Sequence, residues 1–167
     1  MRSSTYKIQG RPGVRPEDLD VKPVPNNLAK GKGVFSRCVI EKGTYVCEYQ
    51  GEIIPEEQFP KPSSRKRHTF PPSTEDWTLT GNYSFFFKDH SGKMFCIDAL
   101  HCNSIGRFLN HSKMESNLKV RVEKETLSSS PRLFFVATRN IAAGEELLYD
   151  YNETDPAILN DLPFLKM

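Results

Sequence analysis

The sequence predicts a mostly β domain, and three observations carry that expectation. Several runs are β-branched or aromatic and end at turn residues, one run alternates apolar with charged residues, and every helix candidate is short. With 37% hydrophobic and 11% aromatic residues, a chain of 167 residues can bury a core as one domain.

Residues 1–28 are polar, carry Pro12, Pro16, Pro23 and Pro25 and lack sustained periodicity, so they read as an N-terminal extension, an extended arm and not a helix. The domain proper is expected over 29–152. Thr44-Tyr45-Val46-Cys47-Glu48-Tyr49, between Gly43 and Gly51, is a strand by composition. From Pro55 to Trp77 five prolines and the basic run Arg65-Lys66-Arg67-His68 predict an irregular insert. The basic run suits a solvated loop, the wall of a substrate groove or a phosphate-contacting patch.

Tyr83–Phe87 and Met94–Ile97, joined by Asp89-His90-Ser91-Gly92, predict a hairpin. Leu118, Val120 and Val122 alternate with Lys119, Arg121 and Glu123, which predicts a strand with one buried and one wet face. After the turn at Ser128–Pro131, Leu133-Phe134-Phe135-Val136-Ala137 is apolar enough for a central strand covered on both sides. A short helix capped by Asp155 is interrupted at Pro163.

Lys plus Arg number 23 and Asp plus Glu 21, so a net charge of +2 is too small to argue for wholesale nucleic-acid binding, and charge alone names no partner. Cys38, Cys47, Cys96 and Cys102 form no CxxC pair and follow no secretory signal, which predicts free thiols in a reducing compartment. No apolar run approaches the ~20 residues a bilayer span requires, and a soluble intracellular protein is expected.

Three segments are unusual for plain strands or turns. Lys30-Gly31-Lys32-Gly33 places glycines where backbone can approach a ligand closely. Asn103-Ser104-Ile105-Gly106-Arg107-Phe108-Leu109-Asn110-His111-Ser112 ends in a polar triplet. In Gly144-Glu145-Glu146-Leu147-Leu148-Tyr149-Asp150-Tyr151, two tyrosines two apart point to one side if the segment is extended. Each alone is a weak signal.

In this order and at these separations, the three resemble the SET-domain lysine methyltransferases, whose marks are a Gly-x-Gly turn, an Asn-His-Ser motif and a Glu-Glu-Leu…Tyr-Asp-Tyr ending. Within that family the chain most resembles the histone H4 lysine-20 monomethyltransferases, through Glu48-Tyr49-Gln50-Gly51-Glu52-Ile53-Ile54, Cys96-Ile97-Asp98-Ala99, Asn110-His111-Ser112-Lys113, Ile141–Tyr151 and Pro163-Phe164-Leu165-Lys166. Many relatives place a cysteine after Asn-His-Ser and a zinc cluster behind the domain. This chain has Lys113 there and no cysteine beyond Cys102. No metal is therefore expected.

The resemblance implies a fold of several small sheets with a few short helices and a knot-like C-terminal threading. Residues 153–167 would close the site, and 55–77 would flank the peptide groove. It implies S-adenosylmethionine as cofactor, contacted by Lys30, Gly31, Lys32, Tyr83, Asn110 and His111. Tyr49 and Tyr151 would orient the substrate amine, Tyr151 being the leading catalytic residue, and Tyr149 would limit the product to monomethyl-lysine. Arg107 and Asp98 are assigned to stabilising the fold. The implied partner is a histone, the H4 tail in nucleosomes, or another lysine-bearing protein, with a possible contact to nucleosomal DNA, no membrane, a monomeric state and a nuclear, chromatin-associated location. The alternatives are the same chemistry on a different lysine and a catalytically silent SET-like chromatin-binding module.

Overall fold

A computed structural model of the chain describes residues 6–27, 31–58, 83–124 and 130–151. Lys30, nearly all of the 55–77 insert, the Asp155 helix and the 153–167 segment with its expected threading lie outside the described residues. Within them the structure is a set of small sheets joined by turns and single 3-10 turns, in keeping with the expected mostly β class.

The N-terminal stretch is extended, as its prolines suggest, and it is also paired. Strands β1 (Lys7–Ile8) and β2 (Arg11–Pro12) form a hairpin whose two central residues, Gln9 and Gly10, have φ of 52° and 72°. Positive φ at both positions matches the twist of paired strands. After a 3-10 turn at Pro16–Asp18, β3 (Leu19–Pro23) runs antiparallel to β4 (Lys32–Ser36). Val14, Leu19 and Val24 are buried, so the arm contributes to the core. Pro23, which lacks an N–H, ends its strand, where the missing donor does least harm.

The main sheet holds β5 (Tyr45–Glu48), β9 (Asn110–His111), β10 (Leu118–Lys124), β11 (Pro131–Ala137) and β12 (Leu148–Tyr149) in the order β5-β11-β10-β12-β9. The apolar run at 133–137 is central, as expected, pairing with β10 from Leu118↔Ala137 to Lys124↔Pro131 and with β5 on its other edge. Its side chains alternate between two clusters. Leu133, Phe135 and Ala137 enter the main core, while Phe134 and Val136 pack with Tyr45 on the opposite face. Burying a phenylalanine fully contributes about 1.5–3 kcal/mol, so a strand covered on both sides anchors the sheet.

A second sheet, β6-β8-β7, contains β6 (Glu52–Pro55) and the expected hairpin, β7 (Ser84–Lys88) with β8 (Met94–Asp98). Asp89 organises its turn: Oδ1 accepts from the Ser91 N–H, the Ser91 hydroxyl and the Lys93 N–H, and Gly92 takes φ 84°. Arg107 and Asp98 act as expected for fold stability. The Arg107 guanidinium donates to the carbonyls of Leu100 and Cys102, and Asp98 accepts from the Leu100 N–H. The four cysteines are free thiols.

Candidate active site

Two strand ends, distant in sequence, deliver three phenols to one place. Tyr49 follows β5 directly, and Tyr149 and Tyr151 come from β12 and the residues after it. β12 lies parallel between β10 and β9, with Tyr149 opposite Leu118 on one side and His111 on the other. The rings of Tyr149 and Tyr151 are 4.6 Å apart, as their spacing of two predicts for extended backbone.

Two phenylalanines complete the enclosure. Phe85 lies 5.4 Å from Tyr49 and 5.9 Å from Tyr149, and Phe135 lies 6.2 Å and 4.7 Å from the same two rings. The four rings thus form a closed cycle in which phenol and phenyl alternate. Tyr49 and Tyr149 are buried, whereas Tyr151 is 42% exposed and forms the wet end.

Backbone carbonyls fix the phenol hydroxyls. Tyr49 donates to the Tyr83 carbonyl at 2.6 Å, and Tyr151 donates to the Leu109 carbonyl at 2.9 Å. Close packing raises all three pKa values by disfavouring the phenolate. For Tyr151 the value is about 12, even with one edge of the residue open to solvent, and a hydrogen bond with Tyr149 offsets part of the rise. All three phenols are neutral at pH 7.

The Asn-His pair links this cluster to the glycine turn. In a strand, neighbouring side chains face opposite ways. Asn110 Nδ2 donates to the Lys32 carbonyl at 3.1 Å and to Glu146 Oε1 at 2.9 Å. His111 is buried, and its Nδ1 accepts the Tyr151 N–H at 3.0 Å, so that nitrogen carries no proton. Gly31 has φ 66° with open space where a Cβ would stand. A Cβ on Gly33 would come within 2.6 Å of Glu146 Oε1 and 3.0 Å of Asn110 Nδ2, so a side chain there would displace the carboxylate from its present position.

Of the residues singled out from sequence, Tyr49, Tyr149 and Tyr151 come together in one group, and Gly31, Lys32 and Asn110 in another, with His111 between them. Tyr83 joins the phenol side. Its carbonyl holds Tyr49, its ring stacks 3.8 Å beneath the Arg107 guanidinium, and its hydroxyl is near enough to raise the Tyr151 pKa. Lys30 lies outside the described residues. Phe85, Phe135 and Glu146 carry no site role in the sequence reading, although Glu146 lies in the third unusual segment. The apolar pair reads as ordinary strand core, and the glutamate is one of two adjacent acids whose partners lie far away in sequence.

A polar cleft of about 450 Å³ opens beside β12, lined by residues that include Asn117, Arg139, Glu145 and Glu146 but none of the expected site residues. There Glu145 is paired with Arg139 and bonded by Asn117 and the Ala142 N–H, and these donors hold its pKa at about 2. Because the folded pKa lies below the unfolded one, the interaction stabilises above about pH 4.5 and is lost as pH falls toward 2. With both partners partly exposed, the effect should be about 1 kcal/mol. Urea unfolding at about pH 6 and about pH 3 is expected to show a larger loss in the native protein than in Arg139→Ala. Equal losses would remove the pair from the pH response.

Three comparisons bear on what this arrangement belongs to. The SET domain family model matches residues 31–152. The N-lysine methyltransferase KMT5A-A of Danio rerio is 34% identical over 139 residues, 82% of this chain and 37% of that protein. The histone-lysine N-methyltransferase set-1 of Caenorhabditis elegans is 34% identical over 150 residues, 85% of this chain and 54% of that protein. The crystal structure of CpSET8 from Cryptosporidium has a TM-score of 0.60 at 32% identity, covering 83% of this chain and 59% of that one. The chain thus spans 37% and 54% of the two curated relatives' lengths.

Proposed function

The chain belongs to the SET-domain family, and from that premise we propose that it is an S-adenosylmethionine-dependent protein-lysine methyltransferase. The finer reading is monomethylation of lysine 20 of histone H4 in chromatin. The observation that carries the proposal is the convergence of Tyr49, Tyr149 and Tyr151 around a wall of Phe85 and Phe135.

The residues present suit the cofactor. Gly31 leaves backbone open to a ligand, and Asn110, whose amide N–H groups are engaged, has an Oδ1 without a partner among the described residues. That oxygen is an acceptor for an ammonium group such as the one on the methionine part. Lys30, Gly31, Lys32, Asn110, Tyr83 and the backbone of His111 would hold the molecule. Bound there, S-adenosylmethionine supplies an electrophilic methyl on a sulfonium.

The chain's own contribution follows from the hydrogen bonds. A lysine amine has a pKa near ~10.4 in water and must lose its proton before it can attack. Enclosure by Phe85, Phe135 and Tyr149 disfavours the ammonium. The phenols stay neutral, so none is an anionic base, and the proton leaves to solvent at the Tyr151 end. Tyr49 and Tyr151 direct their own O–H groups at carbonyls, which leaves phenol lone pairs to accept the amine N–H groups. An amine held by its N–H groups has its lone pair aimed elsewhere, and alignment of that kind lowers the barrier to an in-line transfer.

Mass spectrometry of nucleosomes incubated with the protein and S-adenosylmethionine tests the reading. A single methyl on lysine 20 of H4 is expected. Labelling of other lysines in preference would remove the H4 assignment, and failure to bind the cofactor in calorimetry would favour a silent module.

Product number supplies a prediction. The Tyr149 hydroxyl is bonded to Tyr151, and its residue is buried between Phe85 and Phe135. Tyr149→Phe removes that hydroxyl and makes room, so dimethyl-lysine should rise from a trace to a substantial share of product in intact-mass spectra. Monomethyl product alone would refute the assigned role.

A further inference from the structure

The glycine turn, the Asn-His strand and the acidic pair preceding β12 meet at one carboxylate. Glu146 Oε1 accepts from Asn110 Nδ2 at 2.9 Å and lies 2.6 Å from the point where a Gly33 Cβ would stand. The same asparagine N–H group also reaches the Lys32 carbonyl. A carboxylate is acceptor-only, and so is a carbonyl. Two acceptors on one side of Asn110 therefore fix which end of its carboxamide is nitrogen, and the oxygen is forced to the other side.

That choice of end matters because an asparagine side chain has nearly the same shape after a half-turn about its last bond. Without an acceptor-only neighbour the two orientations differ little in energy. Glu146 is itself held, since its carbonyl accepts from the fully buried Asn117 and the residue bridges Phe35 of β4. The Glu146 backbone is thus anchored to the same strand that carries the glycine turn, which limits where its carboxylate can reach.

The geometry points to Glu146 as a positioning residue for cofactor binding, one that sets the Asn110 carboxamide so that Oδ1, and not the NH2, faces the cofactor. The inference rests on the functional reading above and extends it to a residue that need not touch the cofactor. Its mechanism is orientation: removing the carboxylate leaves the Lys32 carbonyl as the one remaining acceptor for the NH2 end, so the flipped carboxamide, which presents a donor where the ligand also presents one, gains population.

The test is calorimetric binding of S-adenosylhomocysteine to the native protein, Asn110→Ala, Glu146→Ala and the double variant. If the native protein does not bind, the functional reading fails. If it binds, Glu146→Ala should weaken affinity about tenfold, the size of one lost hydrogen bond to an oriented group. In the Asn110→Ala background the same change should have almost no further effect, because Glu146 acts only through Asn110. An unchanged affinity for Glu146→Ala, or a full penalty persisting without the asparagine, would overturn the inference while leaving the function intact.

A swap keeps the proposal testable should Glu146→Ala not fold. Asn110→Asp sets two carboxylates against each other and should bind poorly, and adding Glu146→Gln restores a donor–acceptor pair running the opposite way. Partial recovery of binding in the double variant is expected, because the Lys32 carbonyl still faces an oxygen at position 110. No recovery would count against the orienting role, which a merely structural contact would not reproduce by reversal.

Discussion

Tyr151→Phe is expected to lower turnover about 100-fold, near 2.7 kcal/mol of barrier, a size typical for one oriented polar group acting in an enclosed site. The ring of Tyr151 packs 4.6 Å from Tyr149 and 5.0 Å from His111, and a phenylalanine keeps those contacts. What disappears is the oxygen, together with its bonds to the Leu109 carbonyl and the Tyr149 hydroxyl. Cofactor binding should persist, because the backbone N–H of Tyr151, bonded to His111, is untouched. Single-turnover kinetics with cofactor affinity measured in parallel distinguish the two effects. Unchanged turnover would mean that another phenol presents the acceptor, and lost cofactor binding would mean that the substitution disturbs the neighbouring strand.

The choice of Tyr151 rests on the resemblance, whereas its pairing with Tyr149 is local. Tyr149 and Tyr151 are two apart in extended backbone, and that spacing alone fixes their common side. The β7–β8 turn was legible in the same way, since Asp89 and Gly92 carry their turn geometry with them. The apolar run of β11 likewise announces its own burial. Such features depend on neighbours within a few residues, where side-chain type constrains conformation directly.

Long-range contacts were not legible from residue type. The carbonyls that receive Tyr49 and Tyr151 belong to Tyr83 and Leu109, and a carbonyl has no sequence signature at all. Glu146 sits beside Gly33 and Asn110 only because β4, β9 and β12 meet. The polar, proline-bearing stretch before residue 28 hid the pairing of β3 with β4, since Leu19 and Val21 are too few to establish a period. What the resemblance supplied was the grouping of distant motifs, and what the structure adds is the set of bonds that fixes each group.

Phe135→Ala is expected to destabilise the protein by about 3–5 kcal/mol, the usual range for removing a fully buried ring and leaving a cavity. Against the ~5–15 kcal/mol that typical domains possess, that is a large share. The informative comparison is Phe134→Ala, one residue away on the same central strand. Phe134 is equally buried, but it packs with Tyr45 on the far face, 5.7 Å between ring centres. Urea midpoints should fall by similar amounts in both variants. At a temperature where both remain folded, turnover should fall further in Phe135→Ala, because that cavity opens between Tyr49 and Tyr149 and lets both phenols move. Equal turnover in the two would show that the phenols are held by their hydroxyl bonds alone, and that the aromatic cycle serves stability without shaping the site.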